Sequence, residues 1–198
     1  MKSQTVFNVL PPPFETLPPQ ALTAFDLTVG ETLFLQGDTA TAIYFLQEGE
    51  MRLVRHSEAG TVVPVFEAVA GDTFAEAALF SPTYHCDAVA VKRSALVALN
   101  KHVILSKMVD DPEFGRTLAK RFASQVQTYR RKLEILAISS AEERVFAALS
   151  DGYLTGKVVD FADEINLSQE ATFRTLSQLV RKGRIEKPKR GTYRVKKT

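Results

Sequence analysis

The chain has 198 residues, 45% of them hydrophobic and 24% charged, which suits one large or two small domains with cores of their own. No run of about 18 apolar residues is present to span a membrane, and Lys2 is not followed by the apolar stretch of a secretory signal. The single cysteine, Cys86, excludes an intramolecular disulfide, a four-cysteine zinc site and a cysteine-ligated iron–sulfur cluster within one chain, so a cytoplasmic protein is expected.

The net charge of +2 is unevenly spread. Residues 1–106 hold 6 basic and 11 acidic side chains, residues 107–138 hold 7 and 4, and residues 139–198 hold 12 and 8. From Ser168 onward the count is 10 against 2. A basic segment of this kind reads as a phosphate-facing surface when it coincides with a helix-turn-helix pattern.

Taken in order, residues 1–20 carry Pro11, Pro12, Pro13, Pro18 and Pro19, which predict an extended arm followed by at most one short helix. From about Leu27 to Leu99, glycines recur at Gly30, Gly37, Gly49, Gly60 and Gly71 between short β-type segments. Strands are expected at Thr32–Gln36, Ala42–Gln47, Glu50–His56, Thr61–Ala68, Asp87–Val91 and Ser94–Asn100, forming a barrel or sandwich of hairpins. The alanine-rich Phe74–Phe80 interrupts them and predicts one or two helical turns, which either hold an anion at their N-terminus or plug the barrel.

A long helix is predicted from Asp111, the N-cap, and Pro112, at its first position. Phe122, Val126, Tyr129, Leu133 and Leu136 follow at steps of 4, 3, 4 and 3, a seam that suits a homodimer interface over about two heptads. Ser140-Ala141-Glu142-Glu143 is a capping-box pattern opening the next helix, and Asp160 is expected to cap a short helix over Phe161–Ile165. Asn166 and Leu167 then turn into a helix capped by Ser168 and stopped by Gly183. In that helix Thr172, Leu176, Leu179 and Val180 form an apolar stripe, while Gln169, Glu170, Phe173, Arg174 and Ser177 lie opposite. Ile185–Lys187 and Thr192–Val195 form a hairpin around Pro188-Lys189-Arg190-Gly191. The predicted fold is α+β: an N-terminal β-barrel domain (1–109), a dimerisation helix (110–138) and a winged helix-turn-helix (139–198).

This order resembles the catabolite activator/FNR superfamily of bacterial transcription regulators, whose barrel is a cyclic-nucleotide-binding-like jelly roll. The most specific pieces are Gly71-Asp72 with Phe74-Ala75-Glu76 and Leu79-Phe80, and Leu167-Ser168-Gln169-Glu170 with Arg174. The resemblance implies an effector sensor, a homodimer, a palindromic operator in double-stranded DNA and, for an activator, contact with RNA polymerase; it implies no membrane. Glu170 and Arg174 match the family's base-reading pair: Arg can be bidentate to guanine and Glu can accept from a cytosine amino group. Standing at i and i+4, they would also allow Glu170 to orient Arg174. Phe173 replaces a usually small residue and suits a thymine methyl. Ser168, Gln169, Lys182, Lys189 and Arg190 would lie near phosphates, with Ser177 on the same face.

The implied effector pocket departs from the cyclic-nucleotide binders. Glu76 is retained, Ala75 and Ala78 stand where those proteins have glycines, with Ala77 between, and Cys86-Asp87 replaces their Arg-Ser. Losing that arginine removes the phosphate's cation, and Asp87 adds an anion, so cyclic AMP is not expected as the ligand. On the long helix, Tyr129 and Arg130 stand where small hydroxyl residues contact the base. An alternative effector chemistry is a haem or redox-sensing thiol built on His85 and Cys86, and the cofactor otherwise stays open. A regulatory ligand-binding module without DNA would not need the basic C-terminal part. An enzyme is not expected: His56, His85 and His102 have no nucleophile or metal-ligand spacing around them, and no lysine-bearing glycine loop is present.

Overall fold

A computed structural model of the chain describes residues 10–57 and 60–196. It forms two compact units divided between Arg121 and Phe122. The first unit contains β1 (Leu22–Leu27), β2 (Thr32–Phe34), β3 (Ala42–Glu48), β4 (Glu50–His56), β5 (Val62–Val69), β6 (Thr73–Phe74), β7 (Asp87–Ala90) and β8 (Ser94–Asn100). Two four-stranded sheets, ordered β1-β8-β3-β6 and β2-β7-β4-β5, are antiparallel throughout. Neighbours distant in sequence make this a jelly roll. Ile43, Leu46, Met51, Phe74, Leu96 and Leu99 are buried in its core.

Side-chain acceptors set several strand ends. The expected strand Thr32–Gln36 stops at Phe34 because the Leu35 amide donates to Asp38 and the Gln36 amide to Asp87, so neither amide is left for a ladder. The strand expected from Thr61 begins at Val62, since the Thr61 amide donates to Ser57 Oγ at 3.0 Å. Pro64 is accommodated because β5 is an edge strand. Gly49 alone joins β3 to β4 at a φ of +94°, and a β-carbon there would lie 2.6 Å from Ser94 Cα.

The interruption is one 3-10 turn over Glu76–Leu79, within the one or two turns expected but narrower than Phe74–Phe80, since Phe74 belongs to β6. The N-terminal segment contains two short 3-10 turns, Phe14–Thr16 and Pro19–Ala21, rather than one at most. Phe14, Leu17 and Ala21 are buried, so this part of the arm is packed, while residues 1–9 of the expected arm lie outside the described residues.

An unexpected helix, α1 (Lys101–Asp110), follows β8 directly, its Asn100 cap accepting from the Val103 amide at 3.2 Å. Helix α2 (Pro112–Ala137) starts as the proline predicts, with Asp111 Oδ1 accepting from the Glu113 and Phe114 amides at 3.1 Å each.

The second unit continues with α3 (Ala141–Ser150), α4 (Val158–Glu164), α5 (Gln169–Arg181) and a hairpin of β9 (Ile185–Lys189) and β10 (Thr192–Val195). Asp160 is not the cap of α4. The helix starts at Val158 after Lys157, because Val158 continues the buried face of Phe161 and Ala162; Asp160 sits in the first turn, where its charge suits the helix dipole. The hairpin turn is also tighter than expected, since Pro188 and Lys189 extend β9 and leave Arg190-Gly191 between the strands.

Two acids at the start of α3 tie it to the end of α5. The capping box is half formed: Ser140 Oγ accepts from the Glu143 amide, but the Glu143 carboxylate binds Arg184 at 2.5 Å instead of returning to the cap. Glu142 accepts from Lys182 Nζ at 2.6 Å and from Arg184 at 3.4 Å, and the Arg184 guanidinium lies 4.0 Å from the Phe146 ring centroid. Lys182 holds the Glu142 carboxyl below its ordinary 4.5, and Arg184 does the same for Glu143. A carboxylate whose folded pKa is depressed stabilises the fold above its unfolded pKa and loses that contribution as pH falls through the folded value. Doubly substituted Glu142→Gln/Glu143→Gln protein should therefore melt lower than wild type at pH 7, and the gap should shrink as pH falls below 4.5 and through the lowered folded-state values. Thermal unfolding across that range checks this; a gap independent of pH would contradict the ion pairs as its source.

Candidate nucleic-acid interface

Helix α5 is shaped by what it hides. Ser168 Oγ accepts from the Ala171 amide at 3.2 Å, fixing the start, and Thr172, Thr175, Leu176 and Leu179 are buried as the helix packs on α3 and α4. Thr175 adds to this stripe, and Val180, which the sequence assigned to it, is half-buried but packs against the same core. At the end, the Arg184 amide donates to the Leu179 carbonyl and the Gly183 amide to Val180, with Gly183 at a φ of +72°. This is a Schellman motif, and the positive φ is what calls for glycine there.

The other face of α5 is open. Ser168, Gln169, Glu170, Arg174 and Ser177 are exposed, and Phe173 holds 45% of its surface in solvent despite its aromatic ring. Ser177 Oγ donates to its own helix, at the Phe173 carbonyl, 2.9 Å away. Lys189 and Arg190 are exposed at the tip of the hairpin. These side chains share one unit, which brings the predicted base-reading and wing residues onto a single folded piece.

Two expected details differ. Among the described residues, Glu170 forms no ion pair with Arg174, so Glu170 does not orient it here. Lys182, expected near phosphates, is turned to Glu142, and that carboxylate offsets its charge. Arg174 instead lines a groove of about 280 Å³ between α5 and the hairpin, together with Ser177, Val180, Arg181, Lys187 and Tyr193. Sequence reading missed Arg181 and Lys187. Arg181 was within reach, since it stands seven residues after Arg174 and therefore on the same face.

The predicted sensor residues divide between the units. Glu76, Ala77, Ala78, Cys86 and Asp87 belong to the first, Tyr129 and Arg130 to the second. Glu76 Oε1 accepts from Thr73 Oγ1 at 3.0 Å, Ala77 is exposed and Ala78 is buried. Ala75, where the cyclic-nucleotide binders have glycine, adopts a left-handed φ of +64° that an alanine takes only at a cost of about 1 kcal/mol. The Asp87 carboxylate is engaged on both oxygens: Oδ1 accepts from the Gln36 amide at 2.7 Å, and Oδ2 lies 2.8 Å from His56 Nε2. His85 is exposed, with its carbonyl accepting from Arg55 Nε at 3.1 Å. Burial pushes the Cys86 thiol up despite nearby Arg55, which reduces its thiolate fraction. Among the described residues no cluster of three or more His, Cys, Asp or Glu is arranged to hold a metal. Along the predicted seam, Val126 and Leu133 are 44% and 66% exposed, Tyr129 is exposed, and Phe122 and Leu136 are half-buried.

Comparison with known proteins agrees with this architecture. Residues 25–111 match the family model of the cyclic nucleotide-binding domain. The transcriptional regulator LdrP of Thermus thermophilus is 26% identical over 176 residues, covering 82% of this chain and 87% of the relative. The cyclic AMP receptor protein of Thermus thermophilus is 29% identical over 153 residues, covering 75% of this chain and 69% of the relative. Among solved structures, FixK2 from Bradyrhizobium japonicum shares the fold, with a TM-score of 0.61 at 20% identity over 89% of this chain and 93% of that one. A jelly roll that matches the cyclic nucleotide-binding domain, a long helix and a winged helix-turn-helix thus follow one another in this chain, which shares its fold with FixK2.

Proposed function

We propose that the chain is a sequence-specific DNA-binding transcriptional regulator that acts as a homodimer on a palindromic operator. The carrying observation is the solvent-facing side of α5, where Gln169, Glu170, Phe173 and Arg174 are exposed at the helix start while the opposite stripe is buried. A helix presented this way inserts its N-terminal turns into the major groove. Arg174 then donates to a guanine, Glu170 accepts from a cytosine amino group, and Phe173 packs on a thymine methyl. Ser168, Gln169, Lys189 and Arg190 contact phosphates, and Lys182 joins them only by leaving Glu142. The relatives' description as transcriptional regulators supports this reading over an enzyme or a module without DNA. Such a protein works in the bacterial cytoplasm, and as an activator it also meets RNA polymerase.

The homodimer rests on α2. A stripe with Val126, Tyr129 and Leu133 open to solvent in one chain suits a second copy of the same helix, because large apolar side chains at seam spacing gain by mutual burial. Two copies related by a two-fold axis present two α5 helices to two half-sites.

The sensor takes something other than cyclic AMP. Asp87 carries a carboxylate where cyclic-nucleotide binders place a serine, and Cys86 stands in place of their arginine. Neither offers a cation to a cyclic phosphate, and a buried anion repels one. A thiol switch at Cys86 is disfavoured by the upward push on its pKa.

Replacing Arg174 with alanine should reduce discrimination between operator and a variant lacking the contacted G·C pair by about 1–3 kcal/mol, while much of the salt-dependent affinity for unrelated DNA remains. Fluorescence anisotropy with both duplexes measures it; undiminished discrimination would refute the assigned helix register. Isothermal titration calorimetry with cyclic AMP and cyclic GMP should show no binding up to about millimolar concentration. Micromolar binding would overturn the sensor reading.

A further inference from the structure

We propose that the groove between α5 and the β9–β10 hairpin is a seat for a DNA backbone phosphodiester, held by Arg181 and Lys187 beside Arg174. It rests on the DNA-binding reading above and adds to it a contact that reads no base.

Several cations near the end of α5 and on the hairpin already have acidic partners. Lys182 and Arg184 are bound to Glu142 and Glu143, and Arg194 is bound to Glu186. Among the described residues, Arg174, Arg181 and Lys187 have no acidic partner, and these are the three that converge on one groove. Like charges gathered around a concavity repel one another until an anion enters. The anion must also suit the walls. Val180 and Tyr193 supply apolar surface, and the Lys187 ammonium lies 5.4 Å from the Tyr193 ring centroid. A phosphodiester with its deoxyribose combines both demands: two charged oxygens for the guanidinium and ammonium groups, and a sugar face for the apolar side chains.

Helix geometry places the seat relative to the base contacts. Arg174, Ser177 and Arg181 stand at i, i+3 and i+7, so they follow one edge of α5 from the base-reading turn to its last turn. Lys187 approaches from β9 across the groove. A phosphate gripped at the Arg181 end would fix how deeply the helix start enters the major groove, and thereby where Arg174 reaches.

The test uses the full chain with a selected operator duplex. Arg181→Gln and Lys187→Gln should each lower the slope of log affinity against log salt by about 1. Affinity should fall about tenfold for operator and unrelated DNA alike, leaving base preference unchanged. Lys120→Gln, which removes an exposed charge in the first unit, should leave the slope as in wild type. Duplexes with a neutral methylphosphonate at one backbone position at a time provide an independent readout. At one position per half-site, the neutral linkage should weaken wild type but not the Arg181→Gln/Lys187→Gln double variant. Unchanged slopes, or equal methylphosphonate losses in both proteins at every position, would overturn the seat while leaving the DNA-binding reading intact. If wild type has no operator preference at all, both fail.

Discussion

Burial of one stripe of α5 decides which side chains the second unit turns outward. Leu176 and Leu179 are fully buried, with Thr172 and Thr175 beside them, and each of the two leucines gains about 1.5–3 kcal/mol from removal from water. That fixes the rotation of the helix about its axis. Once the rotation is fixed, Glu170, Phe173, Arg174 and Ser177 have nowhere to point but outward. The Ser168 cap and the Schellman turn at Gly183 fix the helix ends, so the outward face has a defined length as well as a direction.

Electrostatics refine what packing sets. A basic segment could present all of its cations to a nucleic acid, but here acids from elsewhere in the unit select among them. Glu142 and Glu143, 40 residues or more away in sequence, engage Lys182 and Arg184 at the end of α5. Exposed pairs of this kind contribute modestly to stability. Their larger consequence is spatial: they leave positive charge concentrated on the edge of α5 that faces the hairpin and on the hairpin tip, where Lys189 and Arg190 are exposed.

Much of this was legible in the sequence because local chemistry dictates it. The strands Glu50–His56 and Ser94–Asn100, the proline start of α2 and the Ser168 cap all follow from nearest-neighbour rules, and they stand as the residues imply. The features that were not legible depend on partners distant along the chain. Strand β2 ends early because Asp87 captures the Gln36 amide, and α4 begins early because Val158 has a core to enter. The unexpected α1 had a signal in its Asn100 cap, but the preceding strand runs into that cap without a break. The distinction between Lys182 and Arg181, adjacent cations with opposite surroundings, exists only once Glu142 has been brought to the end of α5.

The first unit departs from its cyclic-nucleotide-binding relatives through small changes with clear physical consequences. Ala75 bears a left-handed conformation that glycine would adopt without strain, and Asp87 is bound to Gln36 and His56. Helix α5 has no such departure at Glu170 or Arg174, whose exposure matches the roles proposed for them. The most direct test of the central claim is selection of bound duplexes from a random pool by the wild-type chain. The expected result is enrichment of two-fold symmetric sites, with a G·C pair in each half-site and half-site centres about 10 base pairs apart or a multiple of that. Recovery of no common sequence, or of unpaired half-sites alone, would contradict a dimer that reads DNA through α5.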